Sequence, residues 1–241
     1  MKSPIGLILG SGWGKVASTL KNKKEVTFEK IFKKATSVPG HEGKVITGTT
    51  KVNKVIILSG RFHTYEGYTS YEAAKTIRYL HKEGVRKVII TSASGGLNPK
   101  YQVGDVVILN DLITLFSQSP LNGPNFQDMS KPFSGILQKM AETSARTNKM
   151  RFQKGVYAYV RGPHFETFSD KKALRSLGAD VVGMSTVPET IMANNLGMEV
   201  LGLSLVTNLA FVKHNHKDVL AAAKSQEESL YNFMNTLLES I

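Results

Sequence analysis

Short apolar runs recur along the chain, separated by more polar segments with helical spacing. The runs at 5–9 (IGLIL), 54–58 (KVIIL), 87–93 (KVIITSA), 106–109 (VVIL), 156–160 (VYAYV) and 199–208 (EVLGLSLVTN) are rich in β-branched residues and closed by Gly, Ser or Asn. Runs of this kind read as strands covered on both faces. Between them the pattern predicts helices over about 71–83, 132–148, 169–177, 188–196 and 216–240; the last carries Leu220, Leu230, Phe233 and Leu237 at a mixed helical spacing. TTKVNK (49–54) reads as a turn between two strands, hence a hairpin within the sheet. No Pro/Ser-rich linker, internal repeat or low-complexity tract interrupts the alternation, so a single domain over 1–241 is expected. The fold class is α/β, with a central mixed, mostly parallel, partly barrel-like sheet flanked by helices.

Composition narrows the classes without choosing one. The 241 residues are 41% hydrophobic and 21% charged, ordinary for a globular protein, and the absence of cysteine excludes disulfides and thiolate zinc sites. The first apolar stretch is short and runs into a glycine loop, and no segment approaches the roughly 20 apolar residues of a membrane span. A soluble, cytoplasmic protein with no membrane partner is expected. The formal charge of +12 is scattered, with small clusters at KNKK (21–24) and KIFKK (30–34) that are not interleaved with aromatics in any nucleic-acid motif. The charge favours attraction of small anions over nucleic-acid binding.

Sheets of this class place ligands at the carboxyl ends of their strands, so the residues after each apolar run carry the candidate chemistry. After the first run comes GSGWGK (10–15), whose glycines allow close backbone approach to an anion, with a following helix expected to aim its amides there. The loop fits neither a Walker A nor a dinucleotide fingerprint, and a plain strand-to-helix turn reads equally well. GRFHTYEGY (60–68) offers the planar fork of Arg61, with His63 on the same side if the segment is extended, and Tyr65 able to face a sugar. TSASGGLNP (91–99) gives small residues whose amides can face a ligand. In VRGPHFETFSD (160–170), Phe165 and Glu166 pair an aromatic with a carboxylate ahead of a helix with Ser169 as its expected N-cap, an arrangement suited to a heteroaromatic ring. GMSTVPE (183–189) and SLVTN (204–208) bring Ser185 and Asn208 to strand ends, while HNH (214–216) is a weak metal pattern with no matching acid or cysteine.

Taken together, LGSGWG, VPGHEGK, GRFHTYEGY, SGGLNP, GPHFET, GADVVGMSTVPE and LVTN, in that order, resemble the trimeric class of purine nucleoside phosphorylases, the family that also holds methylthioadenosine phosphorylases. The resemblance runs from about residue 5 to 240. It implies a homotrimer that cleaves purine nucleosides with phosphate to free base and (deoxy)ribose 1-phosphate. It implies no metal or organic cofactor, inorganic phosphate being a co-substrate. By motif, phosphate would lie among Ser11, Arg61, His63, the Ala93 backbone and Ser185. The ribose would lie against Tyr65 and Met184, with His216 at its 5′-hydroxyl and Phe126 of a neighbouring subunit closing the pocket. The purine would stack near Phe165, with Glu166 accepting from N1–H and Asn208 donating to N7; His63, Glu166 and Asn208 would be the catalytic set. Glu66 would orient its neighbours. The Glu166/Asn208 pair implies inosine and guanosine as substrates, since adenine presents a bare acceptor to the carboxylate. Ser94, Arg161 and His164 depart from the family's smaller or less charged residues at the rim. The alternatives are a methylthioadenosine phosphorylase, against which Asn208 and the polar His216 count, a non-catalytic nucleoside- or phosphate-binding protein, and a dinucleotide-dependent oxidoreductase resting on GSGWG alone.

Overall fold

The apolar runs form strands because β-branched side chains pack well on a pleated surface covered on both sides. The computed structural model describes residues 3–38, 42–213 and 215–241, with the backbone alone at His216. Pro39, Gly40 and His41 of VPGHEGK, and the histidine side chains of HNH, therefore lie outside the described residues. In chain order the strands are β1 (Ile5–Leu9), β2 (Lys21–Thr27), β3 (Lys44–Thr49), β4 (Lys54–Ser59), β5 (Lys87–Gly96), β6 (Val106–Ile113), β7 (Phe152–Tyr159), β8 (Val181–Gly183) and β9 (Glu199–Leu209). They join in one sheet in the order β2-β3-β4-β1-β5-β8-β7-β6-β9, with a further β5–β9 pairing. That pairing closes β5, β8, β7, β6 and β9 into a five-stranded barrel, from which β1, β4, β3 and β2 extend as an open wing. The pairings β1–β4, β1–β5, β5–β9, β6–β7 and β7–β8 are parallel; the rest are antiparallel.

The helices are α1 (Phe28–Phe32), α2 (Ser70–Ala73), α3 (Lys75–Lys82), α4 (Gly135–Thr147), α5 (Phe168–Ser176), α6 (Val187–Asn195), α7 (His216–Ser225) and α8 (Glu227–Ser240). Period-two alternation divides the central strands between two apolar layers. Ile8, Ile56, Leu58, Val88 and Ile90 pack with Ile77 and Leu80 of α3 and Met192 of α6. Leu7, Leu9, Val55, Ile57 and Ile89 face the opposite way, against Leu137 of α4 and Phe233 and Leu237 of α8. Each such side chain contributes about 1.5–3 kcal/mol through burial, which is why these strands carry no polar face.

Several elements differ from the sequence reading. The KNKK cluster is part of β2, an exposed edge strand with no apolar alternation to announce it; its lysines suit an edge that must not pair with another sheet. β8 is three residues long and α1 five, too short for any periodicity to register. The segments read as single helices at 71–83 and 216–240 are interrupted at Ala74 and Gln226. β5 runs through Gly96, three residues beyond the strand read at 87–93, so Ser94, Gly95 and Gly96 belong to the barrel strand. No α-helix follows the glycine loop: Gly14–Thr19 is a short 3-10 helix with Trp13 as its N-cap and no side-chain cap. The N-cap of α5 is Thr167 rather than Ser169, in a reciprocal box with Asp170.

The glycine loop is instead held by side chains. The Gly10 amide donates to Thr91 Oγ1 at 3.0 Å, and the buried Trp13 donates its indole N–H to the Ser92 carbonyl at 3.0 Å while its ring lies 6.5 Å from that of Phe233. A Cβ on Gly10 would meet the Ser92 Cα and the Thr91 carbonyl oxygen, both at 2.8 Å, and backbone cannot rotate away. Gly10→Ala is therefore expected to lower stability by about 1–3 kcal/mol, measured as a fall in the urea midpoint; an unchanged midpoint would mean that β1 and β5 separate freely.

Candidate active site

The strand ends of wing and barrel meet around one cavity of about 480 Å³. Of the sequence-predicted residues, Ser11, Arg61, His63, Tyr65, Ala93, Phe165, Glu166, Met184, Ser185 and Asn208 all line it. They come from β5 and from the carboxyl ends of β1, β4, β7, β8 and β9, as expected for ligand sites in such sheets. Phe126 does not line this chain's cavity and is 95% exposed. The side chain of His216 lies outside the described residues; Val219, one turn further along α7, lines the cavity.

Arg61 is the most constrained member. It is 1% exposed; Nη1 donates to Glu189 Oε2 at 3.1 Å and Nη2 to the Thr91 carbonyl. A desolvated guanidinium without a carboxylate would be costly, so the pair is an electrostatic necessity of placing Arg61 here. Burial pushes the Glu189 carboxyl above its ordinary value, against the opposing pull of the Arg61 cation and the Thr186 amide.

His63 and Glu66 form a second buried pair. His63 Nδ1 lies 3.0 Å from Glu66 Oε2, which also accepts from the His63 amide at 2.9 Å; Oε1 accepts from the Ser37 amide at 2.9 Å. Burial alone would raise the Glu66 carboxyl, but the His63 ring and the two amides outweigh it and hold it at about 2. Burial lowers the His63 imidazole, with Arg61 adding to the effect and Glu66 opposing it only in part. An ionised carboxylate at Nδ1 fixes the neutral ring as the Nδ1–H tautomer, with Nε2 as acceptor. Tyr65 stacks on this ring, centroids 4.6 Å apart at 18°, and burial raises its phenol.

On the barrel side, Ser92 Oγ donates to Ser204 Oγ at 2.9 Å and Ser204 Oγ to Ser94 Oγ at 2.8 Å, which accounts for Ser94 as part of a buried hydroxyl chain. The β5–β9 register slips by one between Ser94 and Gly95, so Gly95 opposes Asn208. A bulge of this kind re-aims a side chain. Asn208 is 9% exposed, and its Nδ2 would lie 3.2 Å from a Cβ on Gly95, so the glycine leaves the amide its room. The Ser185 amide donates to the hydroxyl of fully buried Tyr157 at 3.2 Å, and Thr186 beside it is held at φ 71°, a strained conformation for a β-branched residue. The rim residues Arg161 and His164 are exposed and do not line the cavity.

Residue reading from the chain missed Glu189, Tyr157, Ser37 and Val38 as members or supports of the site. Glu189 sat within a quoted motif, but nothing in the sequence says that it meets Arg61. Tyr157 is indistinguishable from a core aromatic by pattern.

The chain belongs to the phosphorylase superfamily, whose family model matches residues 4–239. Within it, the similar proteins are purine nucleoside phosphorylases. Purine nucleoside phosphorylase 1 of Bacillus subtilis is 42% identical over 214 residues, covering 86% of this chain and 79% of the relative. The Mus musculus enzyme is 37% identical, with 98% of this chain and 89% of the relative covered. Solved structures of the Schistosoma mansoni enzyme with inosine and with adenosine are each 36% identical, with TM-scores of 0.91 and 0.90. Both cover 99% of this chain, and 90% and 91% of their own.

The pH dependence of the His63–Glu66 pair has a definite sign. A carboxyl at 4.5 unfolded and about 2 folded contributes stability that is complete above the unfolded value and is lost as pH falls through the folded one. The difference in urea midpoint between wild type and Glu66→Gln is thus expected to shrink steadily from about pH 5 to about pH 3; a constant difference would mean that Glu66 is not ionised against His63.

Proposed function

We propose that the cavity binds inorganic phosphate beside a purine nucleoside and catalyses reversible phosphorolysis of inosine, guanosine and their deoxy forms. The products are the free base and (deoxy)ribose 1-phosphate. The observation that carries this reading is the convergence of Ser11, Arg61, His63, Ala93 and Ser185 on the same cavity as Phe165, Glu166 and Asn208, from segments far apart in the chain. The family relationship supports it.

In this reading Arg61, Ser11, Ser185 and the Ala93 backbone hold the phosphate against the ribose and His63 Nε2 accepts from a phosphate O–H, with Tyr65 and Met184 along the sugar and His216 at its 5′ end. Cleavage at C1′ builds positive charge on the ribose while electrons pass to the purine. The phosphate stabilises the developing cation and then captures it. Asn208 donates to N7 of the departing base, aimed at negative charge that grows there in the transition state, while Glu166 accepts from N1–H and holds the base in place. Each 1.4 kcal/mol of such differential stabilisation is worth about tenfold in rate. The reaction needs no metal or organic cofactor.

We read the working form as a homotrimer in the cytoplasm. The exposed apolar side chains Leu115, Phe116, Phe126, Phe168 and Phe211 favour assembly, and Phe126 suits closure of a neighbour's sugar pocket. Among the described residues no helix is long and apolar enough to cross a membrane. Phe126→Ala is expected to raise KM for inosine about tenfold, the loss of one aromatic contact of roughly 1.4 kcal/mol, with KM for phosphate unchanged; equal KM values for inosine would remove Phe126 from the site.

The direct test is release of free base from inosine and from adenosine, with and without phosphate. Phosphate-dependent release of hypoxanthine, with adenosine much slower, is the expected outcome; release without phosphate, or none, would overturn the reading. Adenine leaves Glu166 facing a bare acceptor, at a cost of about 1–3 kcal/mol. An aspartate at 208 accepts from a 6-amino group, so Asn208→Asp is expected to raise the adenosine-to-inosine turnover ratio by about tenfold, and an unchanged ratio would remove the hydrogen-bond account of base choice.

A further inference from the structure

Among the described residues Arg61 is the one buried lysine or arginine, and its partner Glu189 is equally enclosed, with side chains 1% and 3% exposed. Glu189 is the third residue of α6, where a glutamate ordinarily reaches back to the helix's own first amide. Here the carboxylate interacts with the Thr186 amide and its Oε2 also accepts from Arg61 Nη1 at 3.1 Å. Just before it, Thr186 sits at φ 71°, ψ −48°, and the Val187 amide closes onto the Ser185 carbonyl at 2.7 Å. Ser185 thereby faces the main cavity while Glu189 lies behind Arg61. Arg61 lines both that cavity and a smaller one behind it, of about 10 Å³, which Glu189 and Thr186 also line. Arg61 Nε and Glu189 Oε1 have no protein partner, so the pair does not exhaust the guanidinium's donors.

We propose that Glu189 is a positioning residue for Arg61, fixing its guanidinium and offsetting its charge, so that this carboxylate sets how tightly the cavity holds phosphate. The inference rests on the phosphate reading of the site. A carboxylate and a phosphate on the same guanidinium compete for its charge and repel one another, and in a site shielded from water that repulsion is little screened. The arrangement therefore places Arg61 for phosphate but weakens the grip, which favours release of a phosphorylated product. A purely structural pair, or a helix cap, would alter stability without separating one substrate from the other.

The test is steady-state kinetics of wild type and Glu189→Gln, varying phosphate at saturating inosine and inosine at saturating phosphate. Glutamine keeps an acceptor for Nη1 and removes the charge, exchanging the unpartnered Oε1 for an amide NH2. KM for phosphate is expected to fall by about threefold or more, with KM for inosine within about twofold. An unchanged or raised KM for phosphate overturns the proposal. Should the variant be too unstable for kinetics, wild type and variant purified in phosphate are melted in phosphate and in chloride at equal ionic strength. The expected result is a larger phosphate-induced rise in Tm for the variant, and equal rises overturn the proposal. Base release by wild type without any need for phosphate would instead sink the phosphate reading itself, a separate and distinguishable outcome.

Discussion

The parallel pairing of β5 with β9 is the constraint on which the rest of the molecule depends. It runs from Lys87 opposite Glu199 to Gly96 opposite Leu209, and it serves two structures at once. Along its first half β5 also pairs with β1 and belongs to the open wing; along its second half it pairs with β8 and belongs to the barrel. One continuous strand thus fixes wing and barrel relative to each other without a hinge. The slip between Ser94 and Gly95 falls where the barrel opens onto the cavity, and it decides that Asn208 lies beside a glycine with space for its amide.

Around this joint the site is held by polar groups whose burial must be offset locally. Arg61 leans on Glu189 and on the Thr91 carbonyl, His63 on Glu66, and the Ser185 amide on Tyr157. Apart from Glu66, three residues from His63, each partner comes from a distant segment, so these pairings tie two segments of the chain together. A cleft assembled this way is preorganised: its donors and acceptors are already oriented, and little side-chain freedom is left to lose on binding. The same pairings make the site intolerant, because removing one partner strands the other in a dry environment.

The class of fold was legible from the chain because the central strands are covered on both sides and so read as unbroken apolar runs. The chemistry at their ends was legible for a related reason. A buried strand that empties into Arg, His, Tyr and Glu, as at GRFHTYEGY, breaks its own pattern, and packing alone does not require those residues. β2 was not legible, because an edge strand with both faces exposed has no apolar period, and a lysine-rich segment looks the same in a loop. Thr167 displaced Ser169 as the N-cap of α5 because capping is decided by where the backbone first turns helical, which two candidate residues two positions apart cannot settle.

The sequence by itself determined the central strands and their alternation with the longer helical segments, and the stretches from which the candidate site is drawn, since these follow from local periodicity and local chemistry. Only the tertiary structure decided which five strands close into the barrel, that β5 continues past Ala93 through Gly96, and that Glu189 lies against Arg61 across 128 residues. Closure, register and a buried ion pair are relations between distant segments. No local pattern encodes them, because their free energy exists only once the segments have met.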